Sequence, residues 1–333
     1  METRKVQVTG GSTFTVSIPK DWATENGIEA GDRVEFHPEG DSLLLSPRTA
    51  EDTVEGTVDI TDLEDAELMR TVFTLYVSGF DIINLEATRV TPDQRRTVRD
   101  ATQGLVGLEV IEETSDRVVL QDLLDSSELS IHNAITRMRL VSATMLQDAV
   151  TALVENDDSL ATDVIERDDD VDRLWFMVSR VFRSALRNPS TAADIGLPRE
   201  TCFDYHSSAR QLERIADHAA KIGQLGLNLD EVPEEVADAL EELHAEAADV
   251  VEMAMDALLE DDGTEATRLG NEARERVRGI DEHTRAVDNL IREMDAQRAQ
   301  QLSLVVDSLS RSADYGGNIA ETALQKAAPT PGP

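Results

Sequence analysis

Carboxylates spaced four residues apart are the groups of this chain best suited to chemistry. Asp168 and Asp172 form one such pair, and Glu213 and Asp217 form another. Residues four apart on a helix are surface neighbours, so each pair can present its oxygens together. Oxygen-rich clusters suit iron, manganese, magnesium or calcium. The spacing therefore indicates either a surface metal site or the solvated face of an acidic helix.

The position of each pair on its helix favours Asp168 and Asp172. At about 100° per residue, the apolar stripe of the first predicted helix (159–188) includes Asp168 and borders Asp172. A carboxylate inside an apolar stripe is costly unless it is paired or bound to a metal. On the second helix, Glu213 and Asp217 fall opposite the apolar stripe, which leaves both interpretations open.

These helices belong to a duplicated unit. Residues 210–223 (RQLERIADHAAKIG) and 308–321 (SLSRSADYGGNIAE) align with Asp217 on Asp314. Such self-similarity, at a period of about 100 residues, indicates one helical unit repeated in tandem. A serine replaces Glu213 in the second copy, so the alignment predicts that a second carboxylate cluster has been lost.

The charge of the chain indicates the solvent in which it works. Asp and Glu number 67 against 31 Lys and Arg, which gives a net charge of −36. Self-repulsion of this size weakens the compact state unless salt screens it, and the Debye length falls to about 3 Å at 1 M salt. The composition is therefore typical of a protein from a halophile, and the alternative is an acidic protein of ordinary salinity.

Cysteine usage and hydropathy predict a cytoplasmic protein. The single cysteine, Cys202, excludes an internal disulfide. No apolar run approaches the roughly 18 residues of a membrane helix, and residues 1–8 lack the apolar segment of a signal peptide. We therefore expect no transmembrane segment.

Hydrophobic periodicity predicts a multidomain, mainly α protein. Alternating apolar residues predict a small β module over 1–48, and residues 49–126 follow the order β-α-β-α-β-β of a small α/β module. Breaks near Asn188, Pro233 and Gly263 separate helices. The predicted helices span 128–156, 159–188, 199–228, 234–261, 264–292 and 295–327. They predict two tandem antiparallel three-helix bundles, at 127–230 and 231–328, followed by a disordered tail at 329–333.

Residues 17–36 (SIPKDWATENGIEAGDRVEF) resemble the AbrB/SpoVT swapped-hairpin family. The resemblance is carried by Pro19, Lys20, Gly27, Ile28, Gly31, Asp32 and Val34. It implies an intertwined dimer that binds promoter DNA through basic residues, for which the best candidates are Arg4, Lys5, Lys20 and Arg33. The module has a net charge of −3, and salt weakens phosphate contacts. A purely dimerising role therefore stays open.

Residues 128–327 resemble the PhoU family of phosphate-uptake regulators, which are built from two tandem three-helix bundles. The carriers are residues 164–174 (VIERDDDVDRL), residues 212–222 (LERIADHAAKI) and the degenerate second copy. The family's Glu/Asp-x-x-x-Asp signature is associated with multinuclear metal clusters. It implies a surface-bound metal ion or cluster at Asp168, Asp172, Glu213 and Asp217. The implied partners are the ATPase of the phosphate ABC transporter and a sensor histidine kinase.

The middle module adds little to this interpretation. Its predicted order is compatible with a ferredoxin-like or ACT-like sandwich, which is an analogy of fold alone. Four arginines form a basic patch, which is either a contact for an acidic partner or an ordinary helix surface; they are Arg89, Arg95, Arg96 and Arg99.

Together these features predict a non-enzymatic regulator of phosphate uptake. The chain would lower high-affinity phosphate transport or expression of its genes, as a homodimer or higher homo-oligomer. The sequence contains no Gly-rich phosphate loop, no nucleophile paired with a base and no zinc spacing. The alternative is an AbrB-type transcription factor whose helical half is only a dimerisation scaffold.

Overall fold

The computed structural model describes residues 3–39, 42–47, 53–124, 130–188, 191, 195–229 and 231–329. These residues fall into two compact units that divide at residue 52. Within the described residues, no helix is both long and apolar enough to cross a membrane.

The N-terminal unit contains two short hairpins and a helix. Strands β1 (Gln7–Thr9) and β2 (Thr13–Thr15) pair antiparallel, and so do β3 (Val34–Glu39) and β4 (Ser42–Pro47), with α1 (Lys20–Glu25) between the hairpins. Glycines 10 and 11 have positive φ angles of 66° and 82°, which confirms the turn predicted there. The second predicted turn, Gly40-Asp41, lies outside the described residues.

The described part of the N-terminal unit has no buried side chain. Phe14 is 75% exposed, Val6 63%, Val8 61% and Phe36 60%. These apolar residues alternate along the strands, as expected for a face that packs against another sheet. In its described residues the unit therefore presents an apolar face and buries none of it.

The α/β module is the first part of the second unit. Its elements are β5 (Glu55–Asp59), α2 (Asp65–Val77), β6 (Ile82–Glu86), α3 (Pro92–Gln103), β7 (Leu108–Glu113) and β8 (Arg117–Asp122). The order β-α-β-α-β-β is confirmed. The sheet order is β5-β6-β8-β7, with β5 and β6 parallel and the other pairs antiparallel. The ferredoxin-like analogy was wrong, because that fold has two successive strands before its second helix.

The remaining helices form the helical body. They are α4 (Ile131–Glu155), α5 (Asp158–Arg187), α6 (Arg199–Gly226), α7 (Glu234–Leu259), α8 (Gly263–Val277), α9 (Ile280–Ile291) and α10 (Ala296–Ala327). The helix predicted over 264–292 is divided, because α8 ends before Gly279 and α9 begins after it. Glycine disfavours a helix interior by about 1 kcal/mol relative to alanine.

Apolar side chains of both helical repeats join one core. Leu212 and Ile215 of α6 belong to the same buried cluster as Leu309 and Ile319 of α10. Helix α6 also packs on α4, α5 and α10. This helix is therefore covered on several sides, which determines how its polar residues meet solvent.

A buried arginine joins the helical body to the α/β module. Arg180 of α5 is 5% exposed, and its guanidinium lies 2.7 Å from Asp122 and 2.8 Å from Asp81. It also donates to the carbonyls of Tyr76 and Phe80 at 2.8 and 2.9 Å. The cation therefore has carboxylates and carbonyls of the module as partners, which fixes α5 against it.

Candidate functional site

Helices α5 and α6 carry the four predicted metal-ligating carboxylates on facing sides. The side chain of Asp157 caps α5 by accepting hydrogen bonds from the backbone N–H groups of Ser159 and Leu160. Further along, Gly223 of α6 lies against α5, where an added Cβ would come within 3.0 Å of the Ala161 carbonyl oxygen. This close approach holds the two acidic helices side by side.

The four carboxylates differ in burial. Glu213 is 7% exposed, Asp168 and Asp172 are half-buried, and Asp217 is exposed. Glu213 lies opposite the apolar stripe of its own helix, but the expectation that this face meets solvent was wrong for Glu213, since neighbouring helices cover α6 on several sides. Asp168 lies at the edge of the core, as its place in the apolar stripe predicted.

Burial and mutual repulsion perturb these acids. Burial, then the negative charges of Asp172 and Asp217, raise the pKa of Asp168 to about 7. Burial and Asp217 also raise the pKa of Asp172 to about 6. For Glu213, burial and Asp217 outweigh the opposing charge of Arg210 and raise its pKa to about 7. The carboxylates of the two helices are thus close enough to repel one another.

Arg210 is a cation of this cluster, and the sequence analysis assigned it no role. It pairs with Glu213 one helical turn away and lies over the ring of Trp175 at 5.3 Å. The three-residue spacing between Arg210 and Glu213 is the signal that could have predicted the pair. Arg214 also opposes the rise in the pKa of Glu213 and Asp217, and these two cations against four carboxylates leave the cluster short of positive charge.

The structure partly fits a metal at this place. Asp168 Oδ1 and Glu213 Oε2 are buried without a hydrogen-bond partner among the described residues. A cation would satisfy both oxygens and relieve the repulsion. In the described part of the chain, however, no three His, Cys, Asp or Glu side chains are arranged to hold one metal ion. Protein ligands alone therefore do not form a closed site.

The second repeat has a different charge arrangement. Asp314, aligned with Asp217, is exposed on α10. Glu321 forms an ion pair with Arg274 at 2.8 Å. Arg274 lies in the segment that aligns with the acidic stretch around Asp168 and Asp172. In this copy an internal cation therefore pairs with Glu321, which aligns with Gln224, while the surviving acid Asp314 is exposed.

The predicted basic positions are exposed, apart from the half-buried Arg95. Arg4, Lys5, Lys20 and Arg33 of the N-terminal unit are exposed. The patch on α3 is largely neutralised, because Arg95 and Arg99 pair with Glu113 and Arg96 pairs with Asp93. The ordinary-surface interpretation is favoured for that patch.

Comparisons with known proteins bear on both units. Residues 135–225, which include α5 and most of α4 and α6, match the family model of the PhoU domain. The helical body is PhoU-like. Residues 7–52 match the model described as antidote-toxin recognition MazE, a bacterial antitoxin, and this agrees with the AbrB-like resemblance.

Solved structures similar to the chain include PhoU proteins. PhoU from Pseudomonas aeruginosa is 22% identical over 58% of this chain and 93% of its own, with a TM-score of 0.50. The phosphate transport system regulatory protein PhoU from Streptococcus pneumoniae is 20% identical over 58% and 91%, with a TM-score of 0.46. No curated protein matches the chain. The helical body therefore shares the fold of the PhoU structure from Pseudomonas aeruginosa.

Proposed function

We propose that this protein is a cytoplasmic regulator of phosphate uptake and that it catalyses no reaction. The observation that supports this most directly is the match of α4–α6 to the PhoU domain, since these helices also carry the carboxylate cluster. Both matched families are regulatory. The family's partners, the ATPase of a phosphate ABC transporter or a sensor kinase, are the proposed targets.

The direct test measures phosphate uptake in phosphate-replete cells with and without the gene. We expect uptake to stay high in the deletion strain and to fall when the gene is restored. Equal uptake in the two strains would contradict the proposal. The helical body would then share the fold of PhoU proteins without a role in phosphate uptake.

We propose further that the N-terminal unit dimerises. Phe14, Val8 and Phe36 of its strands and the preceding Val6 are exposed, and none of its described side chains is buried. A module this small needs a partner to bury such a face. Light scattering on the full chain with Phe14→Lys tests this, with Ile111→Lys, an exposed apolar residue of β7, as the matched control. A lower mass for the Phe14 variant alone supports the proposal, and an unchanged mass opposes it.

Promoter DNA is the proposed ligand of the dimer. The exposed cations Arg4, Lys5, Lys20 and Arg33 would contact phosphates. A Lys20→Gln, Arg33→Gln double variant of the full chain should lose operator binding and reduce the salt dependence of any that remains. If DNA binding and every effect on uptake disappear together, the alternative function applies, in which the helical body is a scaffold of a transcription factor.

A metal at Asp168, Asp172, Glu213 and Asp217 is the proposed cofactor. Iron, manganese, magnesium or calcium would neutralise the cluster, with solvent supplying the remaining ligands. Elemental analysis of purified protein should show less bound metal in the Asp168→Ala, Asp172→Ala double variant. Glu166→Ala with Asp170→Ala is the matched control, since those exposed acids have the same spacing on α5. Equal metal content in all three proteins would refute the assignment.

A further inference from the structure

A second polar site lies where the helical body meets the α/β module. A cavity of about 340 Å³ opens there, between the start of α4, the middle of α5 and the chain at Val106. Its apolar lining includes Val106, Leu174 and Met177, and its charged lining consists of Arg137, Asp170 and Arg173. A wall of apolar side chains and a set of polar ones therefore face the same space, which is the usual composition of a small-molecule site.

The two arginines of this cavity lack ion pairs, although the chain is strongly acidic. No carboxylate of the described residues forms an ion pair with Arg137 or Arg173. Arg173 is half-buried, and its Nε is buried without a hydrogen-bond partner there. Three other arginines of α4 and α5 each pair with two carboxylates; they are Arg139, Arg167 and Arg180. Arg183 and Arg187 of α5 also have no carboxylate partner among the described residues, so it is the shared cavity, together with the buried Nε of Arg173, that points to an anion from outside the described chain as the missing partner.

The first turn of α4 adds to the positive potential of the cavity. Ser130 caps this helix, and its hydroxyl accepts from the Asn133 N–H at 3.1 Å. The first turn contains no acidic residue, whereas α5, α6, α7 and α8 each have one or more there. The positive end of the α4 dipole therefore faces the cavity without a carboxylate in that turn to neutralise it. Asp170 is the opposing charge in the lining.

We propose that this cavity binds an oxyanion, namely phosphate or a small phosphate monoester, between Arg137 and Arg173. Guanidinium groups donate in a planar fork that matches phosphate oxygens. The apolar wall of Leu174, Met177 and Val106 suits the organic part of an ester. The choice of phosphate rests on the proposed function, whereas the anion site rests on the cavity and its arginines. Binding here would report phosphate supply at the junction of the module and the PhoU-like body.

The test is calorimetric titration of the purified full chain, in KCl, with inorganic phosphate and separately with glycerol phosphate. We expect the Arg137→Gln, Arg173→Gln double variant to bind about 100-fold more weakly, since each charged contact is worth about tenfold. The affinity of Arg173→Lys should lie between those of the wild type and the double variant, because lysine keeps the positive charge but lacks the planar pair of donors of a guanidinium group. Arg285→Gln, an exposed arginine of α9, is the matched control and should bind as the wild type does.

A variant that is expected to bind more tightly makes the test independent of misfolding, because a misfolded variant would bind more weakly. Asp170→Asn removes the opposing carboxylate and should tighten binding by about threefold or more. Thermal unfolding of every variant without ligand shows which remain folded. Tighter binding in Asp170→Asn with weaker binding in the arginine variants supports the site, and the better-bound ligand distinguishes free phosphate from an ester.

Two results would overturn the inference. One is no heat of binding for either ligand in the wild type, and the other is equal affinity in the wild type and the double variant. Phosphate uptake in the deletion strain is measured independently of both results. The failure of this site is therefore distinguishable from the failure of the proposed function. Normal binding with unchanged uptake would keep the site and reject the regulatory role.

Discussion

At the residue scale, groups that lose water must find another way to be stabilised. Asp168 and Glu213 each keep a buried oxygen that has no hydrogen-bond partner in the part of the chain that the structure describes, and their raised pKa values express the cost of ionising them there. His206 shows the opposite response for a base. It stacks on Phe182 at 4.5 Å and lies 4.8 Å from Trp175. Burial, then the charges of Arg183 and Arg210, lower its pKa to about 4.

Replacing His206 by phenylalanine should flatten the acid side of the stability profile. The unfolded histidine takes up a proton near pH 6.5, while the folded one resists until about pH 4. The stabilisation from neutral His206 is therefore present above pH 6.5 and is lost as the pH falls toward 4. Phenylalanine keeps the ring packing and does not titrate. Denaturant unfolding should show that the free energy of unfolding falls less between pH 7 and pH 5 in the variant than in the wild type.

The difference between variant and wild type is the readout of that experiment. Carboxylates with raised pKa values, such as Asp168, change stability in the opposite sense over the same range, since their protonated forms favour the folded state. An equal loss of stability in both proteins would mean that His206 contributes nothing to the acid response.

At the scale of elements, two contacts determine how the helices are placed. Arg180 joins α5 to the α/β module through Asp122, and both side chains are 6% exposed. Helices α7 and α10 meet at Gly316, where an added Cβ would lie 2.9 Å from Val250 Cγ1 and 3.1 Å from the Val251 Cα. One contact depends on charge, and the other depends on the absence of a side chain.

Arg180→Ala should destabilise the protein by about 3–5 kcal/mol. Removing one partner of a buried ion pair leaves the other charge uncompensated, here Asp122. Chemical denaturation measures the free energy of unfolding. Arg96→Ala is the control, because Arg96 and Asp93 are 70% and 77% exposed, and such pairs contribute about 1 kcal/mol or less. Similar losses in the two variants would show that the buried pair does not stabilise the junction.

Gly316→Ala should cost about 1–3 kcal/mol, because the new methyl group overlaps both the Val250 side chain and the Val251 backbone. Gly226→Ala is the matched control, since its nearest neighbour would be Leu153 Cδ1 at 3.7 Å, an ordinary contact. Thermal unfolding compares them. A Gly316 variant as stable as the Gly226 variant would mean that α7 and α10 separate at little cost.

At the scale of the whole molecule, net charge sets the conditions for folding. The net charge of −36 makes the chain repel itself. Ion pairs of the helical body, such as Arg139 with Glu252 and Asp256, offset part of that repulsion. The halophile composition remains a prediction from sequence, and it can be tested on the purified chain.

The midpoint of thermal unfolding should rise steeply between about 0.1 and 1 M KCl and then level off. Screening is nearly complete once the Debye length reaches about 3 Å. A neutral osmolyte such as sucrose, at a concentration matched in osmolality, separates charge screening from surface exclusion. A midpoint independent of KCl would contradict the halophile interpretation.

The sequence by itself determined the elements and their order. Periodicity places α4 to α7 and the β-α-β-α-β-β module, because side-chain patterning depends on local geometry. It also pointed to Asp168 as an acid in an apolar stripe. The break at Gly279 was missed, since one glycine in a periodic helix is often tolerated.

Only the tertiary structure decided which polar groups lose solvent. Glu213 is buried because other helices cover the face that its own helix leaves polar, and no pattern within α6 contains that information. Arg180 pairs with Asp122, and Arg137 and Arg173 line one cavity, although these residues come from elements distant in sequence. Burial and charge pairing depend on neighbours in space, whereas secondary structure depends largely on neighbours along the chain.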